Sequence, residues 1–457
     1  MKYLRYEIKM TIKKYLKSVR DHLKAKLIIK LLLICLKSTM NRKVKPLRDH
    51  NLLPLTRSIF KNNFILMKII TTLILLFLFH DALFGQNIWE LNKLYNPPKY
   101  RIEKKDTVTS IYYEGLPYKG KSKEVFAYYS TPAMISGREK KEEKLPAAVL
   151  IHGGGGTAYK EWVSIWARKG YTAIAIDWRG NGPDGKHLPN GGPEHTPETI
   201  ALNNENEIKN TWVYQAVSDI ILAHSLIRSF KEVDSLKTII TGISWGGYLT
   251  SIVAGIDNRF KAAIPVYGCG FIYKEHVWDA ELITPASLKQ KWIQYFDPSS
   301  YLAQATMPVL FINGTNDPYY TLNIWMDSYK LVKNKTLCLK VRMPHGHIEG
   351  WQSKEIYVFA DSYVKGGKPL LKISHFKLKK NSALVTVKAQ SLIKAAYLNY
   401  TISSNPNWTE RKWETVPAKI KGKKVIVPFI SENVKVLYIS VQDENDLLVS
   451  SEVKVRV

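Results

Sequence analysis

The chain has 457 residues, and its three cysteines exclude a scaffold built on disulfides. Its formal net charge of +28 would by itself suggest nucleic acid or an anionic membrane as a partner. Half of that excess lies in residues 1–66, which hold 17 Lys or Arg and 3 Asp or Glu, so we expect no nucleic-acid partner. The 372 residues after position 85 are ample for one large enzyme domain and a small second one.

The first recognisable segment begins at Met67. A short cationic start is followed by an apolar run over 69–79 and by a small residue at the expected cleavage site. This is the form of a secretory signal peptide. Because the run is too short for a comfortable membrane span, we predict a signal peptide over 67–85, export to the periplasm or the extracellular space, and no stable span in the mature chain. Translation would then start at Met67, and 1–66 would be a mis-assigned upstream extension. A genuine extension with a membrane anchor at 27–36 is the alternative.

The region 86–368 has the pattern of an α/β domain. Apolar and polar residues alternate in two segments, 107–113 and 124–129, which predicts an antiparallel strand pair. Strands and helices then alternate, which predicts a mainly parallel sheet covered on both faces. The predicted strands are 147–151, 172–177, 237–241, 262–267, 308–312 and 336–342, and the predicted helices are 159–168, 210–230, 247–254, 320–333 and 354–365.

Two irregular stretches interrupt this alternation. The first, 180–199, is rich in Gly and Pro and is expected to form a loop near the cleft. The second, 271–302, carries aromatic residues that could line a lid or an acyl pocket. Packing of these aromatics in the base of the insertion is the simpler interpretation. They are Trp278, Trp292, Tyr295 and Phe296.

A serine lies between a predicted strand and a predicted helix in the sequence Gly242-Ile243-Ser244-Trp245-Gly246-Gly247. Glycines around such a serine allow a sharp turn that projects the hydroxyl into a cleft, as in a nucleophile elbow. A structural turn serine is the alternative. The position of the motif after a core strand favours Ser244 as a catalytic nucleophile.

A nucleophilic serine needs a base, a carboxylate that orients it, and donors for the oxyanion. Asp317 follows the strand 308–312, and two histidines follow the strand 336–342. The order Ser, Asp, His is the one found in α/β-hydrolases. We favour His347 as the base, because it follows a glycine and leads to the last helix, and we keep His345 as the alternative.

The loop after strand 147–151 supplies candidate oxyanion donors. It reads His152-Gly153-Gly154-Gly155-Gly156, and its backbone N–H groups could approach a carbonyl together with that of Trp245. We therefore predict Gly153 and Gly154, with Trp245, as the oxyanion hole. The loop lacks the Gly-Lys-Ser/Thr ending of a phosphate loop, and no H-E-x-x-H or paired-cysteine motif occurs, so no cofactor or metal is expected.

The pattern changes after Pro369. Short alternating segments with turns between them predict a small β-sandwich over 371–457, resembling a fibronectin-like module. Its predicted strands are 383–387, 396–400, 424–428 and 436–440. Trp408 and Trp413 could stack on sugar, although burial in the module core is the commoner role of such residues.

The segment 242–250, with 260–263 and 307–317, resembles the α/β-hydrolase superfamily, and especially its prolyl oligopeptidase and dienelactone hydrolase/acetyl xylan esterase branches. This resemblance implies acyl transfer by Ser244, Asp317 and a histidine. Only about sixty residues separate residue 86 from the first core strand, too few for the propeller of an oligopeptidase. The expected activity is therefore that of a carbohydrate acetyl esterase.

Two other functions stay open at this stage. A propeller-less serine peptidase would share the same residues, and a non-catalytic glycan-binding protein would use only the pocket and the C-terminal module. The expected partner is a small-molecule or carbohydrate ester. The acyl group, the alcohol and the oligomeric state are not determined by the sequence.

Overall fold

A computed structural model of the chain describes residues 88–137, 143–280 and 282–456. The predicted signal peptide at 67–85 and the segment 1–66 lie outside the described residues. Within the described ranges, no helix is long and apolar enough to cross a membrane.

The secondary structure elements are numbered in chain order over the described residues. The strands are β1 (Tyr100–Lys104), β2 (Thr109–Glu114), β3 (Glu124–Ser130), β4 (Leu145–Ile151), β5 (Thr172–Ile176), β6 (Val233–Ile243), β7 (Ala262–Val266), β8 (Val309–Gly314), β9 (Lys335–Lys340), β10 (Lys372–Leu378), β11 (Ala383–Lys388), β12 (Ile393–Thr401), β13 (Glu414–Pro417), β14 (Lys419–Lys421), β15 (Lys424–Val427), β16 (Val436–Asp443), β17 (Leu448–Ser450) and β18 (Lys454–Val455). The α-helices are α1 (Leu91–Leu94), α2 (Pro132–Ser136), α3 (Lys160–Arg168), α4 (Pro197–Ile200), α5 (Trp212–Arg228), α6 (Trp245–Ile256), α7 (Ala286–Phe296), α8 (Leu322–Leu331), α9 (His347–Gln352) and α10 (Lys354–Val364).

The predicted alternation of strands and helices between residues 147 and 365 is confirmed. Strands β5, β4, β6, β7, β8 and β9 are neighbours in that order and pair in parallel. Strands β5 and β8 are buried along their whole length, as expected for strands with helices on both faces. Local sequence patterns give no signal for β1 or for the short helices α1, α2, α4 and α9, whose few residues carry little periodicity. The prediction that 271–302 is irregular was wrong in part, because this stretch contains the 11-residue helix α7.

The description of the sheet as mainly parallel holds only for those six strands. On one side β3, β2 and β1 continue it in antiparallel pairs, and on the other β17, β16, β12 and β13 do the same. The whole sheet has 14 strands, because β18 also pairs with β16. It is therefore a mixed sheet with a parallel centre.

The C-terminal segment forms antiparallel sheets, whereas the fibronectin-like β-sandwich over 371–457 stays a prediction. A second sheet has the order β10-β11-β15-β14, while β12, β13, β16, β17 and β18 belong to the large sheet. The connection is the pairing of Ser450 in β17 with Leu337 in β9, strengthened by the amide of Leu339, which donates to Ser450 Oγ at 2.8 Å. The C-terminal strands are thus joined to the α/β region through the sheet itself.

Four strands of the parallel centre end at one edge of the sheet. The chain leaves β4 at His152, β6 at Ser244, β8 at Thr315 and β9 at Val341. Because the carboxyl ends of parallel strands meet at one edge, the segments after them are brought together. This edge carries the candidate nucleophile, carboxylate, histidines and oxyanion donors named from the sequence.

Candidate active site

Ser244 lies in a strained turn between β6 and α6. Its φ of 58° and ψ of −122° place a non-glycine residue in a region that is rarely occupied. A Cβ at Gly242 would lie 2.1 Å from Gly246 O, and one at Gly246 would lie 2.1 Å from Ile151 O. Only glycine fits at these two positions, since both contacts are with backbone.

The backbone of Ser244 is held on both sides. Its amide donates to Val266 O at the end of β7 at 2.9 Å, and its carbonyl accepts from the amide of Tyr248 in α6 at 2.9 Å. These bonds to a core strand and a buried helix stabilise the strained conformation. The hydroxyl is thereby placed at a half-buried position above the sheet edge.

A continuous chain of hydrogen bonds joins Ser244, His345 and Asp317. His345 Nδ1 lies 2.7 Å from Asp317 Oδ2, and His345 Nε2 lies 2.9 Å from Ser244 Oγ. A carboxylate can only accept, so Nδ1 carries the proton and Nε2 accepts from the serine hydroxyl. Asp317 is buried, and its Oδ1 accepts from the amides of Tyr319 at 3.0 Å and Tyr320 at 2.7 Å.

His347, which the sequence analysis favoured as the base, has different partners. Its Nε2 accepts a hydrogen bond from the amide of Gly153 at 2.8 Å. No hydrogen bond between His347 and Ser244 or Asp317 is found among the described residues. Burial, and secondarily the proximity of His345, lower the pKa of His347 to about 4, so it is neutral near pH 7.

The difference between the histidines follows from the start of α9 at His347. His347 is the first residue of that helix, whereas His345 lies two residues before it and is separated from it by the extended Gly346. His345 therefore turns towards Asp317, and His347 turns towards the glycine loop. Sequence spacing alone does not contain this difference in direction.

The glycine loop after β4 lies directly beside Ser244. A Cβ on Gly153 would lie 3.1 Å from both Ser244 Cβ and His347 Nε2, and one on Gly154 would lie 2.5 Å from Trp245 Cδ1. The Gly153 amide is occupied by His347, whereas the described part of the chain supplies no hydrogen-bond acceptor for the amide of Gly154. The amide of Trp245 is the first of α6 and has no acceptor within that helix.

Tyr267 is a site residue that the sequence analysis missed. It directly follows β7, has a φ of 63°, and its hydroxyl donates to Pro344 O at 2.8 Å. Its ring lies against the ring of His345 with centroids 4.5 Å apart. The rule that pointed to Asp317, a residue just beyond a parallel strand, applies equally to Tyr267.

An aromatic wall surrounds Trp245. Its ring makes edge-to-face contacts with His195, Trp212 and Trp278 at centroid distances between 5.0 and 5.4 Å. Trp178 packs in turn on His195 and Trp212. Burial lowers the pKa of His195 to about 4, so this wall is uncharged at neutral pH.

The four aromatic residues named from the stretch 271–302 are all buried, as the interpretation of core packing predicted. Trp278 belongs to the aromatic wall beside the serine turn, and its Nε1 donates to Tyr319 O at 3.1 Å. Trp292, Tyr295 and Phe296 lie in α7 and are buried in the core. Of the four, Trp278 is the one whose ring packs on Trp245, and it is itself buried.

The C-terminal tryptophans do not form an open stacking surface. Trp413 is buried and packs on Tyr438. Trp408 is half-buried and its ring is covered by the guanidinium of Arg411 at 3.6 Å. Trp413 is thus a core residue, and one face of the Trp408 ring is already occupied.

No group of three or more His, Cys, Asp or Glu side chains that could hold a metal ion occurs in the described ranges. His224 is fully buried in α5, where Nδ1 pairs with Asp257 Oδ2 at 2.7 Å and Nε2 with Thr238 Oγ1 at 2.8 Å. It lies outside the hydrogen-bond chain of Ser244.

Two protein families match different parts of the chain. The acetyl xylan esterase family (AXE1) matches residues 80–282, and the prolyl oligopeptidase family matches residues 201–364. The second match contains Ser244, Asp317 and both histidines. The chain is related to the α/β-hydrolases. The mixed sheet, the turn at Ser244 and the order of the site residues agree with this relationship.

Individual relatives of this α/β-hydrolase are distant. An uncharacterized peptidase, YuxL of Bacillus subtilis, is 26% identical over 204 residues, which are 41% of this chain and 27% of the relative. Dipeptidyl aminopeptidase BIII of Pseudoxanthomonas mexicana is 23% identical over 222 residues, 43% of this chain and 29% of that protein. An acetyl xylan esterase from Paenibacillus sp. R4 aligns structurally at 20% identity and a TM-score of 0.46, covering 60% of this chain and 92% of the esterase. The chain thus spans less than a third of the length of the two curated relatives.

Proposed function

We propose that this protein is an exported serine hydrolase that cleaves carboxylic esters, and that its substrates are acetylated carbohydrates. The observation that carries the proposal is the hydrogen-bond chain from Asp317 through His345 to Ser244, with distances of 2.7 and 2.9 Å. This is the arrangement in which an otherwise unreactive hydroxyl becomes a nucleophile. The base in this proposal is His345 and not His347.

In the first half of the reaction, His345 Nε2 removes the proton of Ser244 Oγ as the oxygen attacks the ester carbonyl. Asp317 keeps the proton on His345 Nδ1 and stabilises the imidazolium that forms. The imidazolium then gives its proton to the leaving alcohol, and an acyl-enzyme remains on Ser244. Because Asp317 is buried and accepts two backbone amides, the His345 ring is held in one orientation.

The negative charge on the carbonyl oxygen needs donors that are free to receive it. We assign this role to the amides of Gly154 and Trp245, since the amide of Gly153 is bound by His347. The amide of Trp245 also lies at the N-terminus of α6, where the helix dipole favours negative charge. The hydrogen bond between the Gly153 amide and His347 would instead hold the loop that carries Gly154.

In the second half, a water molecule replaces the alcohol. His345 removes a proton from this water, which attacks the acyl carbonyl, and then returns the proton to Ser244 as the acid leaves. The match to the acetyl xylan esterase family supports an acetyl ester as substrate. We propose export because residues 67–85 have the pattern of a signal peptide. An enzyme that acts on a carbohydrate polymer outside the cell would have to be exported.

A serine peptidase is the second candidate. It is favoured by the match to the prolyl oligopeptidase family over 201–364 and by the peptidase names of the two curated relatives. The chemistry would be the same, with an amine as the leaving group. Comparison of an ester with its amide analogue separates the two candidates.

The experiment is fluorophosphonate labelling of the purified protein and its Ser244→Ala variant, combined with release of acetate from acetylated xylan and of 4-nitrophenol from its acetate. We expect labelling and both activities in the wild type, and a loss of at least about 10⁴-fold in the variant. A folded wild-type protein that is not labelled would refute the proposal. Cleavage of alanine 4-nitroanilide at a rate comparable to the esters would favour the peptidase.

A further inference from the structure

A pocket of about 370 Å³ lies beside His345 and is shared between the α/β region and the C-terminal strands. The α/β region contributes Asn316, Pro318 and the segment 342–345. The other wall is the turn 409–412, between β12 and β13. The C-terminal segment therefore reaches the immediate surroundings of the proposed catalytic base.

Hydrogen bonds fix the C-terminal wall to the loop that carries Asp317. Asn316 Nδ2 donates to Thr409 O and to Arg411 O, both at 2.8 Å. Thr315 Oγ1 donates to Asn316 Oδ1 at 2.7 Å and accepts from the amide of Arg342 at 3.0 Å. The two walls of the pocket are thus tied together through the residue that precedes Asp317.

Three cationic side chains line this pocket, namely Arg342, Arg411 and Lys412. None of them has a carboxylate within 4 Å in the part of the chain that the structure describes. The carboxylate of Glu410 also lines the pocket, but it accepts hydrogen bonds from the amide groups of its own turn. These donors are Asn405 Nδ2 at 2.8 Å and Asn407 Nδ2 at 2.9 Å.

Two of these cations are held in unusual settings. Arg411 is buried, donates from Nε to Asn405 O at 2.8 Å, and stacks on the ring of Trp408. Arg342 has a φ of 53°, a backbone conformation that glycine adopts without strain and an arginine does not. Strain of this kind is often retained at ligand clamps.

We propose that this pocket binds the carboxylate of an ester whose alcohol part is acidic, such as an acetylated uronic acid. The inference rests on the proposed function and adds a substrate class to it. An arginine fork matches a carboxylate with two parallel hydrogen bonds, and Lys412 adds a second charge. The C-terminal turn 409–412 then acts as a specificity element of the hydrolase.

The position of the pocket decides which part of the substrate it meets. His345, which would protonate the leaving alcohol, lines the pocket. Ser244 and the proposed oxyanion donors, Gly154 and Trp245, do not. The alcohol part therefore extends towards the cations. The acyl part lies on the other side, against the aromatic wall around Trp245.

The test compares two acetyl esters that differ only at C6, a methyl glucuronoside with a carboxylate there and a methyl glucoside with a hydroxymethyl group, both acetylated at the same hydroxyl. The wild type is expected to show a kcat/KM about tenfold higher for the glucuronoside, since each partly exposed charge pair contributes a few-fold. This preference should shrink as the salt concentration rises. In the double variant Arg342→Gln, Lys412→Gln the ratio should fall to about one.

Lys419→Gln is the matched control, because Lys419 is an exposed lysine of β14 that does not line the pocket, and it should leave both rates unchanged. If the double variant does not fold, the single variant Lys412→Gln replaces it. Its ratio of kcat/KM for the two esters should lie between the wild-type ratio and one. Turnover of both esters without a preference for the acidic one would overturn the inference and leave the proposed function intact. If the folded protein turned over neither ester, both the inference and the proposed function would be overturned.

Discussion

The turn around Ser244 and the loop with His345 and His347 both follow strands of the same parallel sheet, but they are fixed in different ways. In the serine turn, contacts with backbone exclude any side chain at Gly242 and Gly246. In the histidine loop, the directions of the two rings depend on partners from distant segments, Asp317 for one and Gly153 for the other. Local sterics therefore determine the first region, and long-range hydrogen bonds determine the second.

The largest expected effect distinguishes the two histidines. We predict that His345→Ala lowers kcat for 4-nitrophenyl acetate by about 10⁴-fold, because it removes the base. His347→Ala should cost only about tenfold, since it frees the amide of Gly153 and loosens one loop. Steady-state kinetics of both variants measure the difference.

The matched control is His276→Ala, because this histidine is fully exposed and pairs only with Asp279. It should have wild-type kinetics. Equal inactivation of folded His345 and His347 variants would contradict the distinct roles assigned to the two rings.

The second prediction tests the steric account of the serine turn. Gly246→Ala would place a Cβ 2.1 Å from Ile151 O and 2.5 Å from His152 O. Because neither backbone oxygen can turn away, we expect a loss of ~3 kcal/mol or more in the free energy of unfolding. Urea denaturation followed by tryptophan fluorescence measures it.

Gly155→Ala is the control for this prediction, since a Cβ there meets nothing within 4 Å. Its free energy of unfolding should stay within ~0.5 kcal/mol of the wild type. If Gly246→Ala were as stable as Gly155→Ala, the steric account of the turn would be wrong.

The smallest expected effect is the pH dependence of stability. Burial lowers the pKa values of His152 to about 3, and of His195 and His347 to about 4, below the ordinary value of 6.5. The unfolded chain then binds more protons, so these groups remove stability as the pH falls from 6.5 towards those values. Burial raises the pKa values of Asp177 and Asp219 to about 6, which acts in the opposite sense between pH 6 and 3.8.

Burial also lowers the pKa of His224 to about 4 and raises the pKa of Asp297. With four such histidines against three carboxyls, we expect the free energy of unfolding to decrease by about 2 kcal/mol between pH 7 and pH 5. Denaturant titrations at several pH values measure this slope. His195→Gln should make the slope shallower, because it removes one of the titrating groups. Constant or rising stability on acidification would show that these histidines are not held neutral.

Much of the α/β region could be predicted from sequence because its signals are local. Strand β4 is an uninterrupted apolar run, and α5 is a long, mainly apolar segment without glycine or proline. The bond between Ser450 and Leu337 was not predictable, since it joins β17 to β9 across more than a hundred residues. Nor was Tyr267 found, although it follows a parallel strand as Asp317 does.

The sequence by itself determined the order of the strands along the chain, the glycine turn at Ser244, and the placing of Asp317 and two histidines just beyond core strands. These features depend on apolar runs and on residues small enough for a sharp turn. The tertiary structure decided which histidine meets Asp317, which glycine amide is already occupied, and that the turn 409–412 borders the site. Each of these is a contact between segments far apart in the chain, set by the direction of a side chain and not by its spacing.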